Sequence, residues 1–311
     1  MEIHRQFSHN KIRLIENQIL FQFYIEAGLI LAFIICPHCQ ISLPNSYSVS
    51  NCIRCYMCNV KLSIYALSIF FNNKFSLNQF HYILISFLNN ESIKHVNKCF
   101  SDSEIPLSKK TIGKYYSIFR KLLIAFMENF LENVNFSGIC EIDEALITAK
   151  RIGNHGRLPS FRIWVFGILE RNSGNCVLYL VPNRRRATLF PMIRKHIEDS
   201  SFIISDDYSV YVNNRIQPRT SKIRQFFPQK NYIHRWVNHS RTFVDRFDNN
   251  IHINRIERLW RDLRPTIKSK KRIDEIYGYL CEYMFFRFFH NIDERLRQLI
   301  NLIQINNRLF I

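Results

Sequence analysis

Glycine is scarce in this 311-residue chain, with 8 residues, and proline is little commoner, with 9. A chain so poor in both and holding 27 phenylalanines is not a disordered or linker-rich polymer. Internal repeats and low-complexity tracts are absent. So are long hydrophobic runs: near the start the longest uncharged apolar stretch is Ala27 to Cys36, bounded by Glu26 and Pro37. A membrane-spanning helix needs about 20 apolar residues, so the expectation is a soluble intracellular protein with no membrane partner. Nor does that stretch read as a signal peptide, because Glu2, Glu16 and Glu26 precede it and no small-residue cleavage site follows. Acidic residues are also in short supply. Asp and Glu number 25 against 43 Lys and Arg, a net charge of +18. Such a balance favours a polyanionic partner, because neutralising phosphates releases counterions. Charge alone leaves an anionic membrane surface open as well. Apolar residues make up 47% of the chain, enough for a sizeable core, and the length suggests two or three domains.

Nine cysteines are present, an odd number, and five of them fall between Cys36 and Cys58. Clustering at two-residue gaps speaks for metal rather than for disulfides. Cys36-Pro-His-Cys39 and Cys55-Tyr-Met-Cys58 form two CxxC knuckles. Two such turns from two hairpin tips supply the four thiolates of a tetrahedral Zn²⁺ site. Cys52-Ile-Arg-Cys55 is also a CxxC, so Cys52 competes for a place in the second pair, and Cys55 with Cys58 is the preferred reading.

Residues 1–35 read as a helical lead-in. Ser76-Leu-Asn-Gln79 resembles a capping box ahead of Phe80, Ile83, Leu84, Phe87 and Leu88. Ser108 caps a second amphipathic helix carrying Ile112, Tyr115, Tyr116, Ile118, Phe119, Leu122, Leu123 and Phe126. Lys109, Lys110 and Lys114 sit at its start, where a recognition helix would meet phosphates. A helix-turn-helix and a plain helical hairpin with solvated lysines fit the region equally. After Asn135 the character changes to strands over Ile139–Ile147, Phe161–Leu169 and Cys176–Val181, with a turn at Asn172-Ser-Gly174. A helix over Thr188–Ile197, a strand over Phe202–Ser205 and helices over 254–263 and 273–304 complete an α/β layer structure.

Carboxylates recur along the strands and helices of this α/β half. Asp143 lies within the apolar strand Ile139 to Ile147, with Glu141 on its own side and Ile142 and Glu144 on the other. A buried carboxylate is costly unless paired or bound to a cation. Asp206 follows Phe202-Ile-Ile-Ser205 at a strand's carboxyl end, where ligands of open α/β sheets gather. Glu257 flanks the packing stripe of Ile256, Leu259 and Trp260 on a helix. Three such groups are enough to hold two Mg²⁺ or Mn²⁺ ions for phosphodiester chemistry. Glu141, Glu144 and Asp207 compete for the same roles. Trp164 and Trp260 read as core.

Several motifs now follow in order: Cys-Glu-Ile-Asp143-Glu, Ile163-Trp-Val-Phe-Gly167-Ile, Val181-Pro-Asn-Arg184 with Thr188-Leu, Ile204-Ser-Asp206-Asp-Tyr208-Ser-Val-Tyr211, Val237-Asn-His239-Ser and His252-Ile-Asn-Arg-Ile-Glu257-Arg-Leu-Trp260. Together they resemble the ISXO2-like catalytic domain of Merlin-type transposases and their bacterial insertion-sequence relatives, over about residues 136–290. The doubled CxxC resembles the amino-terminal ribbon of the same family. The resemblance implies a ribonuclease-H-like mixed sheet and a DDE triad on Asp143, Asp206 and Glu257. It implies cleavage at terminal inverted repeats of double-stranded DNA, strand transfer into target DNA, and a homo-oligomer on that DNA. Some relatives use an Asn near the third position, which makes Asn254 the alternative there. Asp207 and Ser209 stand where other residues are more usual. His239 either orients a phosphate or a metal-bound water, or is a structural histidine. Arg151, Arg157, Arg184, Arg185 and Arg186 are candidate phosphate contacts.

The expected division is a lead-in and zinc ribbon over 1–66, a helical DNA-binding region over 67–135, a catalytic domain over 136–295 and a tail over 296–311. Lys268-Ser-Lys-Lys-Arg272 reads as a nuclear localisation run or a DNA-facing loop. The nucleus is expected for a eukaryotic source and the cytoplasm for a bacterial one. The rival function is a domesticated, catalytically inactive DNA-binding protein derived from a transposase.

Overall fold

The computed structural model describes residues 16–70, 76–100, 106–147, 163–213, 218–237, 248–268 and 272–306. Arg151, Arg157 and His239 lie outside these residues, as does the middle of the basic run 268–272. Contacts divide the chain into two compact units, Met1–Leu123 with Phe289–Ile311, and Ile124–Phe288. Sequence reading divided the chain at 66, 135 and 295, and the contact-based units divide at 123 and 288.

The first unit starts with α1 (Asn17–Glu26) and two hairpins, β1–β2 (Phe33–Ile35, Ser42–Pro44) and β3–β4 (Cys52–Arg54, Lys61–Ser63). Helices α2 (Leu77–Leu88), α3 (Ile93–Cys99) and α4 (Lys109–Phe130) follow, and the division between units falls within α4. The capping box at the start of α2 is present. Ser76 Oγ accepts from the Gln79 N–H at 3.3 Å, and the Ser76 N–H donates to Gln79 Oε1 at 3.0 Å. All five apolar residues expected on its buried face are buried. Ser108 caps α4 by accepting the Thr111 N–H. The unit is closed by α9 (Ile292–Ile305), which packs on α2. Arg295 Nη1 donates to the Leu88 carbonyl at 2.8 Å, placing a cation at the negative end of α2. Residues 296–311 had been expected as a tail, but most of them belong to this packed helix.

The second unit is a five-stranded mixed sheet with helices. Its strands are β5 (Ile139–Leu146), β6 (Trp164–Glu170), β7 (Cys176–Val181), β8 (Phe202–Asp206) and β11 (Ile233–Val237). A two-residue pair, β9 (Val212–Asn213) and β10 (Thr220–Ser221), stands apart. The helices are α5 (Arg186–His196), α6 (Lys222–Phe226), α7 (Asn254–Lys268) and α8 (Ile273–Phe288). The sheet order is β11-β8-β5-β6-β7, antiparallel for β5-β6-β7 and parallel for β5-β8-β11. That is the ribonuclease-H-like arrangement. The 273–304 stretch, expected as one helix, breaks after Phe288, where Asn291 caps α9 by accepting the Asp293 N–H. Among the described residues no helix is long and apolar enough to cross a membrane.

β11 and α6 were not anticipated. What fixes β11 is a buried histidine. His234 lies 3% exposed between the hydroxyls of Ser205 at 3.0 Å and Ser221 at 2.8 Å. Burial, with Arg224 and Arg235 nearby, lowers its pKa to about 3. A folded-state value below the unfolded one means that stability is full above about pH 6.5 and falls as acid is added. The loss is about 1.4 kcal/mol per pH unit between 6.5 and 3. Melts of wild type and His234→Gln at pH 7 and pH 5 should therefore lose less stability on acidification in the variant, by about 2 kcal/mol.

Candidate functional site

Two hairpin tips in the first unit carry the cysteines, and the two are built alike. Cys36 accepts the Gln40 N–H at 2.9 Å, and Cys55 accepts the Asn59 N–H at 2.8 Å, each through its backbone carbonyl. Gln40 and Asn59 both take positive φ, 59° and 61°, to close the knuckles. The four Sγ atoms of Cys36, Cys39, Cys55 and Cys58 lie within 4.8 Å of one another. Cys36 and Cys58 are 3.5 Å apart, as are Cys39 and Cys55. Tetrahedral bonds of about 2.3 Å put sulfurs at similar separations, so the set fits one zinc-type ion. Backbone N–H groups lower Cys36 and Cys55, Cys55 to about 6, while burial and the crowded neighbouring thiols raise Cys39 and Cys58, as sharing of protons within one cluster without a cation demands. Cys52 sits in β3 opposite Ser63, outside this group. Ile34, Leu43 and Leu62 pack beneath the knuckles.

In the second unit the parallel register of β5 on β8 pairs Ile139 with Phe202 and Glu141 with Ile204. Continued by two residues, the same offset sets Asp143 beside Asp206, on the same sheet face and about 5 Å apart between strands. Glu257 stands in the first turn of α7, near enough to repel the Asp143 carboxylate. Asp143 is 8% exposed, and its carboxyl is held well above the usual range. Burial is the main cause, followed by repulsion from Asp206, Glu144 and Glu257. Asp206 and Glu257, both named from the sequence, thus lie within electrostatic reach of Asp143. A cation would relieve that repulsion, so the donor set suits divalent metal. Among the described residues the four cysteines are the one group of three or more that gathers its ligand atoms for a single metal ion. Asn254 is exposed one turn before Glu257 on α7.

Two contacts hold α7 in place. Trp260 Nε1 donates to Asp143 Oδ2 at 2.8 Å. The indole lies over Gly167, the residue paired with Asp143 on β6. A Cβ there would stand 2.8 Å from Trp260 Cη2. The second contact is Glu141, fully buried, whose Oε2 accepts the Ile256 N–H at 2.9 Å. Its Oε1 accepts from Arg171 Nε at 2.7 Å. Arg171 also donates to the carbonyls of Asn250 and His252, and Arg255 donates back to the Arg171 carbonyl. Glu141 therefore caps α7 from another strand and neutralises Arg171. Sequence reading had it only as a competitor for the metal, and Arg171 was missed. The one local signal is that Glu141 shares a strand face with Asp143.

Glu144 serves the opposite face. It accepts from Tyr211 and pairs with Arg184, whose Nη2 lies 2.7 Å from Oε2. Burial still pushes its carboxyl up to about 7 against that cation's pull. The Arg184 guanidinium lies 4.5 Å from the Trp164 ring centre and 4.0 Å from that of Tyr208. Arg184 had been expected on DNA. Its charge is instead satisfied within the fold by Glu144 and two rings. Asp207 pairs with Arg219 at 3.3 Å. Arg185 is exposed at the start of α5, and Arg186 is exposed against the Phe226 ring. Lys109, Lys110 and Lys114 are exposed in the first turns of α4.

Residues 135–287 match the model of the ISXO2-like transposase domain. This stretch is an ISXO2-like transposase domain. The transposase domain covers the whole sheet, both contacts to α7 and all three carboxylates. No curated protein matches the chain. Among solved structures, the catalytic core domain of BIV integrase is 13% identical, with a TM-score of 0.31 over 48% of this chain and 83% of that one. A chain of the simian T-cell lymphotropic virus intasome in complex with PP2A regulatory subunit B56 gamma is 9% identical, with a TM-score of 0.30 over 48% and 49%. Likenesses this loose add nothing about the site.

Replacing Gly167 by Ala forces Trp260 off Asp143. The expected cost is about 1–3 kcal/mol of stability, with loss of near-ultraviolet dichroism from the indole. Arg171→Met leaves Glu141 buried beside a single donor and should cost about 3–5 kcal/mol. Denaturant unfolding measures both, and an unchanged midpoint in either variant contradicts the packing described.

Proposed function

We propose that the chain is a DDE transposase that cuts double-stranded DNA at the terminal inverted repeats of its own mobile element and joins the ends to target DNA. What supports the reading is the β5–β8 register, which continued by two residues sets Asp143 level with Asp206, together with the like-charge repulsion of Asp143 by Asp206 and Glu257 and a helix tied to Asp143 that carries Glu257. Asp143, Asp206 and Glu257 would hold two Mg²⁺ or Mn²⁺ ions. Such ions, when bound, supply Lewis acidity at the scissile phosphate and make a bound water or 3′-hydroxyl a better nucleophile.

The protein's own part is positioning. Trp260 holds one oxygen of Asp143 and so restrains its carboxylate. The Tyr208 N–H holds Asp206 Oδ1 at 3.0 Å. Glu257, exposed and unburdened by burial, can adjust to the ions. Asn254 is the alternative donor one turn earlier. The net charge of +18 and the exposed Lys109, Lys110, Lys114 and Arg185 support DNA as the partner. Assembly of more than one copy on the two element ends, in the nucleus or in the cytoplasm according to the host, belongs to the same reading. A structural Zn²⁺ on Cys36, Cys39, Cys55 and Cys58 would tie the two hairpins together.

A strand-transfer assay with matched terminal repeats and Mg²⁺ tests the chemistry. Asp143→Asn and Asp206→Asn should reduce cut and joined products to background while the protein still binds DNA. Equal product from either variant rejects the metal triad, and cut ends without joined ends reduce the protein to a nuclease. Elemental analysis tests the ribbon. Cys36→Ser and Cys58→Ser should lose zinc and Cys52→Ser should keep it, whereas zinc lost equally from all three would put Cys52 among the ligands.

A further inference from the structure

Beside the sheet edge lies a polar groove of about 710 Å³ that the triad does not use. Four of the side chains lining it are basic, Arg219, Arg224, Lys230 and Arg235, and none is acidic. Arg224 and Arg235 are exposed. The two carboxylates nearby are already engaged. Asp207 faces Arg219, and Asp199 accepts the N–H groups of Ser200 and Asn231. The groove therefore carries an excess of positive charge that the fold does not consume.

Its position matters as much as its charge. It runs along β11, the strand that forms one edge of the sheet. Arg235 pairs with Ile204 and Val237 with Asp206. Paired residues share a face, so Arg235 stands on the same sheet face as Asp206, two residues and roughly 7 Å back along the strand. Trp236, half-buried, also lines the groove and offers an aromatic face.

We propose that this groove is a DNA-backbone track, in which Arg224, Lys230 and Arg235 contact successive phosphates of a strand that continues to the carboxylates at the end of β8. The assignment rests on the transposase reading, because that reading supplies DNA as the ligand. Charge complementarity selects a polyphosphate chain, and continuity with Asp206 selects the reacting DNA over an unrelated acidic partner.

The experiment uses the full chain and a fluorescent duplex of arbitrary sequence, with binding measured from low to moderate salt. Removing two phosphate contacts in Arg224→Gln/Arg235→Gln should make the slope of log K against log salt shallower by about two. The charge-preserving Arg224→Lys/Arg235→Lys should restore it. A control, Lys121→Gln/Arg297→Gln, removes two exposed charges elsewhere and should leave the slope unchanged. Thermal melts matching wild type confirm that these variants fold. A wild-type slope in the glutamine variant overturns the track, as does an equal loss in the control or a slope change seen with RNA but not with DNA. Failure of the wild-type chain to bind any DNA sinks the transposase reading as well, whereas normal wild-type binding with an unmoved slope sinks the groove alone.

Discussion

A carboxylate with no water around it must find its counter-charges inside the protein, and Glu141 finds them in two places. One is the guanidinium of Arg171. The other is the open N-terminus of α7, whose Ile256 N–H has no partner within its own helix. Because both oxygens are used, neither strand nor helix can shift without exposing a bare charge to an apolar interior. The orientation of α7 follows, and with it the places of Glu257 and Trp260. The helix that presents the third carboxylate is thus fixed by a residue two positions from the first.

The two faces of β5 separate two kinds of acidic chemistry. On one, Asp143 is surrounded by like charges and has only neutral donors, the Trp260 indole and the Glu144 backbone. That is an arrangement in want of a cation. On the other, Glu144 has an arginine and a tyrosine to itself and forms a closed structural network. Adjacent residues of one strand, chemically almost identical, acquire opposite tasks from the alternation of the pleat alone.

Much of this was legible before any coordinates. The doubled CxxC marks two knuckles, the alternation in Ile139 to Leu146 separates Glu141 and Asp143 from Glu144, and Ser76 with Gln79 marks the start of α2. These signals are local, and local chemistry decides them. What stayed hidden depends on partners remote in the chain. Trp260 is 117 residues from Asp143, and Arg171 is 30 from Glu141. Nothing around Arg184 in the sequence announces that Glu144 and two rings will take its charge. β11 was unreadable for a related reason. Ile-His-Arg-Trp-Val places ionisable residues at two of its three inner positions, and the hydroxyls of Ser205 and Ser221 make the histidine acceptable in the interior.

The offset between β5 and β8 has an architectural consequence. Asp143 and Asp206 are level because 63 residues separate both Ile139 from Phe202 and the two acids. The connection between the strands leaves and returns outside that ladder. Segments there can lengthen or shrink over evolutionary time, as long as re-entry keeps the same rung, and the two aspartates will still meet. The third acid has no such latitude. It stands one residue beyond the N–H that Glu141 grips, so an insertion between those two points would rotate it away by about 100°. The protein can vary in its loops and must be conservative in a single turn of helix.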